Sequence, residues 1–188
     1  MARPRSDDRR IALMAAATRI IAVQGLGAPT AMIAKEAGVS NGSLFTYFET
    51  KADLLNQLYI ELKTEMAAAA LDGVPADAGI HEQTLHMWTH WLAWATAYPE
   101  KRRALAHLGI SADITAESLE AGHRIMAGVA RLLERSRETG PMREAPLAFV
   151  VALMNGMADA TIDFMIRDPA NADQHSQAAF EALWRIVG

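Results

Sequence analysis

The chain has 188 residues, of which 51% are hydrophobic and only 6% aromatic, and it contains no cysteine. The missing cysteine excludes disulfides, thiol nucleophiles and cysteine-ligated zinc, and the many Ala, Leu and Met residues favour helices, so we expect an all-α protein. Residues 1–51 hold seven Lys or Arg against four acids (+3), and the remainder holds eleven against eighteen (−7), so the N-terminal end suits a polyanionic partner.

Two segments bear on where the protein works. Residues 1–10 are too charged for a signal peptide, which needs an apolar core. The longest uncharged stretch, between Glu82 and Glu100, is too short to span a membrane and contains His86 and His90. We therefore expect a cytoplasmic protein without a membrane partner.

Helical periodicity, interrupted by Gly, Pro and capping residues, predicts about nine helices. Their approximate bounds are 7–24, 31–37, 41–48, 51–71, 81–97, 100–108, 115–138, 146–167 and 173–187. The clearest loop, residues 72–79, contains two Gly and one Pro.

The ends of the first helices are marked by specific residues. Gly25 is expected to stop the first helix, and Thr30 to cap the second. Gly38 and Ser40 predict a tight turn and a cap for the third helix, and two short helices joined in this way form a helix-turn-helix pattern. Thr50 to Asp53 resembles a capping box at the start of the fourth helix.

Neither short helix is long enough to be stable alone, so both must pack against the first helix. The apolar residues available for this packing are Met32, Ile33, Ala37, Val39, Leu44 and Phe48. The small and polar residues of the third helix then lie near its exposed N-terminal side, where they can approach base edges and phosphates.

The segment 30–55, TAMIAKEAGVSNGSLFTYFETKADLL, resembles the DNA-binding signature of the TetR family of regulators. The resemblance implies a helix-turn-helix domain with a basic N-terminal arm over residues 1–51. It also implies a larger helical domain over residues 52–188 that binds an effector and dimerises.

By this resemblance, the DNA contacts fall into three groups. Contacts to phosphate or sugar are expected from Thr30, Ser40, Tyr47 and Lys51. Residues nearer the bases are Asn41, Gly42, Ser43, Phe45 and Thr46. Arg3 and Arg5 are expected to form an arm that follows the backbone or enters a minor groove. Phe45 stands where the family often has Tyr, so it lacks a hydroxyl but can touch a thymine methyl.

Simpler roles remain open for some of these residues. Ser40 can act only as a helix cap, and Tyr47 can pack beside Phe48. Lys51 and the arm arginines can be solvated surface charges.

In the larger domain, apolar residues surround most of the helix predicted at 81–97, so it should be buried centrally. A cavity near it should bind a lipophilic or planar effector of unknown identity. The residues proposed for effector binding are Met87, Trp91, Trp94, His107, His123, Met126, Asn155 and Asp159. Each Trp can instead be part of the core, and Asn155 and Asp159 can face solvent or a second subunit.

Apolar stripes on the helices at 146–167 and 173–187 suit the homodimer interface that the TetR resemblance implies. Such a dimer holds two DNA-binding heads at about the 34–36 Å spacing of successive major grooves. An effector changes that spacing through the helix at 51–71, and repression from an inverted-repeat operator is the expected outcome.

Other functions have less support in the sequence. His86 and His90 are spaced to share a metal, but no acidic partner completes a site, so we expect no metal and no cofactor apart from the effector. Glu120 and His123 match one half of a di-iron carboxylate site, and the second half is missing. No catalytic serine motif or phosphate-binding loop is present, so no enzyme activity is expected. A structural helical interaction module would explain residues 52–188 but not the segment 30–55.

Overall fold

The computed structural model describes the backbone of residues 3–188 and the side chains from residue 7 onward. No β-strand occurs among the described residues, and the all-α prediction is confirmed. The helices are α1 (Arg3–Gln24), α2 (Thr30–Glu36), α3 (Asn41–Tyr47), α4 (Lys51–Leu71), α5 (Ile80–Ala97), α6 (Pro99–Gly109), α7 (Ala116–Ile125), α8 (Ala127–Ser136), α9 (Leu147–Arg167) and α10 (Ala172–Val187), with a 3-10 turn at Pro169–Asn171.

The prediction of a single helix at 115–138 is wrong, because the structure has two helices there, α7 and α8. The interruption falls at Met126, whose φ of −80° and ψ of 1° depart from helical geometry. Gly122 and Gly128 flank this point, and each glycine weakens a helix by about 1 kcal/mol relative to alanine. The apolar periodicity continues through the break, which is why the sequence pattern does not reveal it.

Two predicted helix starts also differ from the structure. Helix α1 begins at Arg3 rather than Asp7, so the backbone of Arg3 and Arg5 is helical and not an arm ahead of the helix. Thr30 is not the N-cap of α2, because Pro29 occupies that position with φ −71° and ψ 144° and the helix starts at Thr30. The amide of Met32 already donates to the carbonyl of Pro29 at 3.0 Å.

The chain forms two compact units. The first comprises Met1–Thr64 and Tyr98–Arg124. Within it α1 packs against α2 and α6, and α2 packs against α3. Its core contains fully buried side chains from four helices, namely Leu13, Met14, Ile21, Ile33, Leu44, Leu54, Leu55 and Leu58. This core holds α2 and α3 in place, because neither short helix is stable alone.

The second unit comprises Glu65–Ala97 and Ile125–Gly188. Helix α5 lies at its centre, as the sequence predicted, and it packs against α8, α9 and α10. Trp88 on α5 is fully buried, and its indole Nε1 donates to the carbonyl of Ser176 on α10 at 3.2 Å. The buried indole therefore has its polar atom satisfied.

The loop between α8 and α9 is held by one buried arginine. Arg137 pairs with Glu134 at 2.8 Å and donates to the carbonyls of Met142, Arg143 and Ala145. The three carbonyls share the two N–H groups of Nη1, while Nε donates to Glu134. Arg137 therefore fixes the loop that leads into α9.

Helix α9 is 21 residues long and apolar enough to cross a membrane by length and composition alone. Only 33% of its most apolar window is buried within the chain. The exposed large side chains on it include Phe149 and Phe164, each more than half exposed. A long helix with an uncovered apolar face is expected at a protein interface.

Candidate nucleic-acid interface and ligand cavity

The turn between α2 and α3 forms as the sequence predicts. Gly38 has a φ of 71°, a conformation that side chains other than glycine rarely adopt. The Ser40 hydroxyl accepts a hydrogen bond from the amide of Ser43 at 3.1 Å and caps α3. The turn and the cap together set the direction in which α3 leaves α2.

Helix α3 is anchored on one side and exposed on the other. Leu44 and the following Phe48 are fully buried and hold the helix to the core. Four predicted DNA-contact residues lie on the exposed side, namely Asn41, Gly42, Phe45 and Thr46. Their spacing of one, four and five residues places them on one helix face. The geometry therefore presents a rigid polar and aromatic surface to solvent.

Gly42 is not required by the packing of the chain itself. A Cβ atom built at Gly42 would meet, among the described residues, no atom from outside its own stretch of helix within 4 Å. The missing side chain therefore leaves open space on the outer surface of α3, where a second molecule can approach the backbone closely. Ser43 and Tyr47 are half-buried beside this face.

The remaining predicted phosphate contacts lie at helix starts. Thr30 is half-buried at the first residue of α2, and Ser40 is exposed at the cap of α3. Lys51 is half-buried at the start of α4, and its Nζ donates to the carbonyl of Leu26 at 2.6 Å. An ammonium has three donors, so this bond leaves Lys51 able to make further contacts. The side chains of Arg3 and Arg5 lie outside the described residues.

Two hydrogen bonds cap the start of α4. The amide of Asp53 donates to the Thr50 hydroxyl at 3.0 Å, and the amide of Glu49 donates to the Asp53 carboxylate at 3.0 Å. The predicted capping role of Thr50 and Asp53 is therefore confirmed, although the carboxylate is bonded to residue 49 rather than residue 50.

Polar side chains on α1 join the helices around this surface. Arg10 donates to Gln57 on α4 at 2.9 Å, lies 3.8 Å from Glu61, and sits 5.9 Å from the centre of the Phe48 ring. Arg19 pairs with Glu36 on α2 at 2.9 Å. Helices α2 and α4 and the end of α3 are thus tied to α1 within the first unit.

Further contacts in the first unit connect α4 to α7. A Cβ atom at Gly122 would come within 2.6 Å of the Tyr59 hydroxyl, so α7 approaches α4 closely at this point. Burial raises the pKa of Tyr59 and lowers the pKa of Lys63, whose ammonium lies 5.8 Å from the Tyr59 ring centre.

The second unit contains a small apolar cavity, of about 20 Å³, that is partly open to solvent. Its lining side chains are Met66, Ala70, Met87, Trp91, Met126, Val129 and Met154. Three of the predicted effector-binding residues, Met87, Trp91 and Met126, are among them. Two of these, Met87 and Trp91, lie on α5, the helix that apolar periodicity singled out.

The other predicted effector-binding residues lie elsewhere. Trp94 is buried on α5 but does not line the cavity, while Asn155 and Asp159 lie on the exposed side of α9. His107 and His123 belong to the first unit and are exposed.

Four lining residues, Met66, Ala70, Val129 and Met154, were not predicted. They come from three helices that meet only in the folded chain.

In the two sequence patterns that suggested metal sites, side chains contact neighbouring residues of the chain. The rings of His86 and His90 stack with centres 3.9 Å apart, and His86 Nε2 donates to the carbonyl of Asp72 at 2.6 Å. Glu120, half of the di-iron pattern, pairs with Arg124 at 3.1 Å. Among the described residues, no group of three or more His, Cys, Asp or Glu side chains could hold a metal ion.

Comparison with known proteins gives a consistent result. Residues 13–58 match the family described as bacterial regulatory proteins, tetR family. A crystal structure of a tetR family transcription regulator from Shewanella sp. PV-4 has a TM-score of 0.81 at 27% identity, covering 94% of this chain and 96% of that one. A regulator from Marinobacter aquaeolei VT8 gives 0.83 at 24% identity, covering 97% and 96%.

A third similar structure contains a ligand. The transcriptional regulator FadR from Bacillus subtilis, solved in complex with stearoyl-CoA, has a TM-score of 0.68 at 18% identity, and the match covers 92% of this chain and 96% of FadR. At this identity the likeness concerns the fold alone.

Proposed function

We propose that this chain, which has the DNA-binding domain and the fold of a TetR-family transcription regulator, is a repressor that leaves its operator when a small effector binds. The observation that carries the proposal is the exposed face of α3, where Asn41, Gly42, Phe45 and Thr46 stand above the buried anchors Leu44 and Phe48. A rigid helix with a solvent-facing N-terminal half is the element that enters a major groove.

The proposed DNA contacts fall into two groups, those to bases and those to the sugar–phosphate backbone. Asn41 and Thr46 can hydrogen-bond base edges, Phe45 can touch a thymine methyl, and Gly42 allows close approach. Ser40, Thr30, Tyr47 and Lys51 meet phosphate or sugar from the helix starts, together with Arg3 and Arg5. The positive balance of residues 1–51 favours this end of the chain for binding the DNA backbone.

We further propose that two copies associate through α9 and α10. The uncovered face of α9 carries small residues four apart, Ala152, Gly156 and Ala160, between the exposed rings of Phe149 and Phe164. Small residues allow helices to approach closely, and the flanking rings supply apolar area. On α10 the exposed residues Ala178, Ala182 and Ile186 continue the same pattern. Two-fold symmetry would then present two copies of α3 to an inverted repeat.

The cavity in the second unit is the proposed effector site. Its apolar lining side chains come from α4, α5, α8 and α9 and from Met126, and the stearoyl-CoA complex of FadR supports effector binding by a protein of this fold. Helix α4 contributes Met66 and Ala70 to the cavity, and its residues 51–64 belong to the unit that carries α3. We infer that the effector acts through α4, by its different affinity for the DNA-binding and released states.

The protein would act in the cytoplasm and without catalysis, and neither a membrane nor a metal enters the proposal. A helical interaction module without DNA binding is the competing function. It accounts for the second unit, but it leaves the exposed polar face of α3 without a role.

The test is transcription in vitro from a template whose promoter overlaps a site selected from random duplex DNA. Repression by the wild-type protein, with weaker repression by Phe45→Ala at the same concentration, is the expected result. Unchanged or increased transcription would contradict repression. A site that is never obtained would favour the interaction module.

A further inference from the structure

Arg10 lies on α1 at the point where this helix meets α3 and α4. Its Nη2 donates to the Gln57 carboxamide oxygen on α4 at 2.9 Å, and its Nη1 lies 3.8 Å from the Glu61 carboxylate on the same helix. The guanidinium carbon lies 5.9 Å from the centre of the Phe48 ring, at the end of α3. One side chain of α1 therefore contacts both helices that flank the α3–α4 connection, residues 48–50.

A hydrogen-bonded chain continues from Gln57 to the α3–α4 connection. The Gln57 Nε2 donates to Asp53 Oδ1 at 2.9 Å. The other carboxylate oxygen, Asp53 Oδ2, accepts from the amide of Glu49 at 3.0 Å. The bond from Arg10 and the two bonds to Asp53 each involve a charged group, and such hydrogen bonds are stronger than those between neutral groups. The hydrogen-bonded chain therefore joins α1 to the backbone that links α3 with α4.

Helix α3 needs support from its surroundings because it is short. It has seven residues, and its fully buried anchors are Leu44 and the C-cap residue Phe48. The amide of Phe48 donates to the carbonyl of Leu44 at 3.1 Å and closes the last turn of the helix. The Phe48 ring and the Glu49 amide are thus two points at which α1 can fix the orientation of α3.

The contacts of Arg10 with Phe48 and Gln57 matter more than its ion pair. The side chains of Arg10 and Glu61 are each 40% exposed, and an ion pair at this exposure stabilises a protein little. Phe48 is fully buried, and its ring lies at a distance at which a guanidinium interacts with an aromatic face. We therefore expect Arg10 to hold the end of α3 rather than to act as a surface charge.

We propose that Arg10 is a positioning residue for DNA recognition, which contacts no DNA itself. It sets the orientation of α3 through the Phe48 ring and through the hydrogen-bonded chain that begins at Gln57. This inference rests on the proposed function in one respect, since it takes α3 to enter the major groove. Base contacts tolerate only small displacements of the helix that carries them, so a loosened α3 should discriminate less between DNA sequences.

The first experiment needs no DNA. Amide hydrogen exchange is measured by NMR for wild type, Arg10→Met and Gln57→Met. In both variants the amides of Phe48 and Glu49 should exchange at least about 10-fold faster, because the α3–α4 connection opens locally more often. The amide of Ala37, at the end of α2, is the internal reference. Unchanged exchange at Phe48 and Glu49 would overturn the proposal, and so would equal acceleration at Ala37, which reports a general loss of stability.

The second experiment measures DNA affinity by fluorescence anisotropy at several salt concentrations. Arg10→Met should bind the selected duplex about 10-fold more weakly than wild type and a duplex of unrelated sequence nearly as well, so the ratio of the two affinities falls. The dependence of affinity on salt should stay as in wild type, because no phosphate contact is lost. An unchanged ratio, or a logarithmic salt slope that is shallower by about one unit, would overturn the proposal.

Arg19→Met is the matched control for the lost charge. Arg19 lies on the same helix as Arg10, its side chain is similarly exposed at 44%, and it pairs with Glu36 on α2 rather than with α3 or α4. Its replacement should leave the ratio of the two affinities within about 2-fold of wild type. An equal fall of the ratio in Arg10→Met and Arg19→Met would assign the effect to net charge and overturn the positioning role.

The double variant Arg10→Met/Gln57→Met tests whether the two residues act through one hydrogen-bonded chain. Its loss of affinity for the selected duplex should be smaller than the product of the two single losses, because both substitutions break the same chain. Losses that multiply would overturn this part of the proposal.

Failure of this inference can be distinguished from failure of the proposed function. A wild-type protein that prefers no duplex would contradict the proposed function. The exchange measurement, made without DNA, would then decide alone whether Arg10 holds α3. If wild type prefers a duplex and Arg10→Met keeps the same preference, the proposed function stands and the role assigned to Arg10 is wrong.

Discussion

Asn56 accepts a hydrogen bond from the amide of Thr115 at 2.9 Å and donates one to the carbonyl of Asp113 at 2.8 Å. One side chain on α4 therefore holds the loop that precedes α7. Thr115 in turn caps α7, because its hydroxyl accepts from the amide of Ser118 at 3.2 Å. The Asn56 carboxamide thus joins the start of α7 to α4, in addition to the close approach of Gly122 to Tyr59.

Replacing this carboxamide should destabilise the first unit. We expect Asn56→Ala to lower the free energy of unfolding by about 1–2 kcal/mol, because two or more hydrogen bonds are lost. Asn56→Asp keeps the acceptor for Thr115 but places a charged oxygen against the carbonyls of Asp113 and Ala52, so its loss should be at least as large. Urea unfolding measures both variants. Thr64→Ala is the control, because the Thr64 hydroxyl bonds only to Ile60 of its own helix; an equal loss in this control would contradict the role of Asn56.

Gly42→Ala should separate stability from DNA binding. Since the added Cβ meets no atom within 4 Å, the variant is expected to be as stable as wild type or more stable, by up to about 1 kcal/mol. The methyl group occupies the surface that we assign to the major groove, so affinity for the selected duplex should fall about 10-fold. Thermal unfolding and fluorescence anisotropy provide the two measurements. Unchanged affinity would remove Gly42 from the interface.

Gly156→Glu should disrupt the proposed dimer. The position is exposed on α9 and has open space around it, so a larger residue fits within one chain. A charge buried between two copies of α9 would be strongly unfavourable. Sedimentation velocity is expected to show dimers for wild type and monomers for the variant. Ala116→Glu, exposed at the start of α7, is the control; a dimeric Gly156→Glu protein would place the interface elsewhere.

Lys63 should make stability depend on pH. Burial lowers the pKa of its ammonium in the folded chain, so below that pKa the folded state bears the cost of a buried charge. Between the pKa of Lys63 in the folded chain and its value of about 10.5 in the unfolded chain, the unfolded chain binds more protons than the folded chain. The free energy of unfolding of the wild type therefore increases with pH in this range.

Lys63→Met lacks this charge and should be more stable than wild type at neutral pH. The difference between the two proteins should shrink as pH approaches 10. Urea unfolding at pH 7, 8.5 and 10 tests this expectation, with Lys35→Met, an exposed position, as the control. A difference in stability that grows with pH would show that folding raises the pKa of Lys63 rather than lowering it.

The helix-turn-helix could be predicted from the sequence because its determinants are local. Gly38 and Ser40 set the turn and the cap within a few residues, and Leu44 and Phe48 mark the buried side of α3. The capping of α4 by Thr50 and Asp53 was predictable for the same reason. The N-cap of α2 was predicted one residue too late, at Thr30, whereas Pro29 occupies this position in the structure.

The cavity could be predicted only in part, because its walls come from segments far apart in sequence. Apolar periodicity identified α5 and hence Met87 and Trp91. It could not show that Met66 and Met154 face the same space, since both have the spacing of ordinary core residues. Nor could it assign His107 and His123 to the first unit, which depends on the division of the folded chain.

Selection from random duplex DNA, followed by sequencing, tests the central claim most directly. The full-length protein should enrich an inverted repeat with half-sites about 10 base pairs apart or at a multiple of a helical turn. Phe45→Ala should lose preference at one position of each half-site. Lys51→Ala should weaken all sequences alike and reduce the dependence of binding on salt. Enrichment of no sequence, with no salt-dependent binding by the ligand-free protein, would contradict the account.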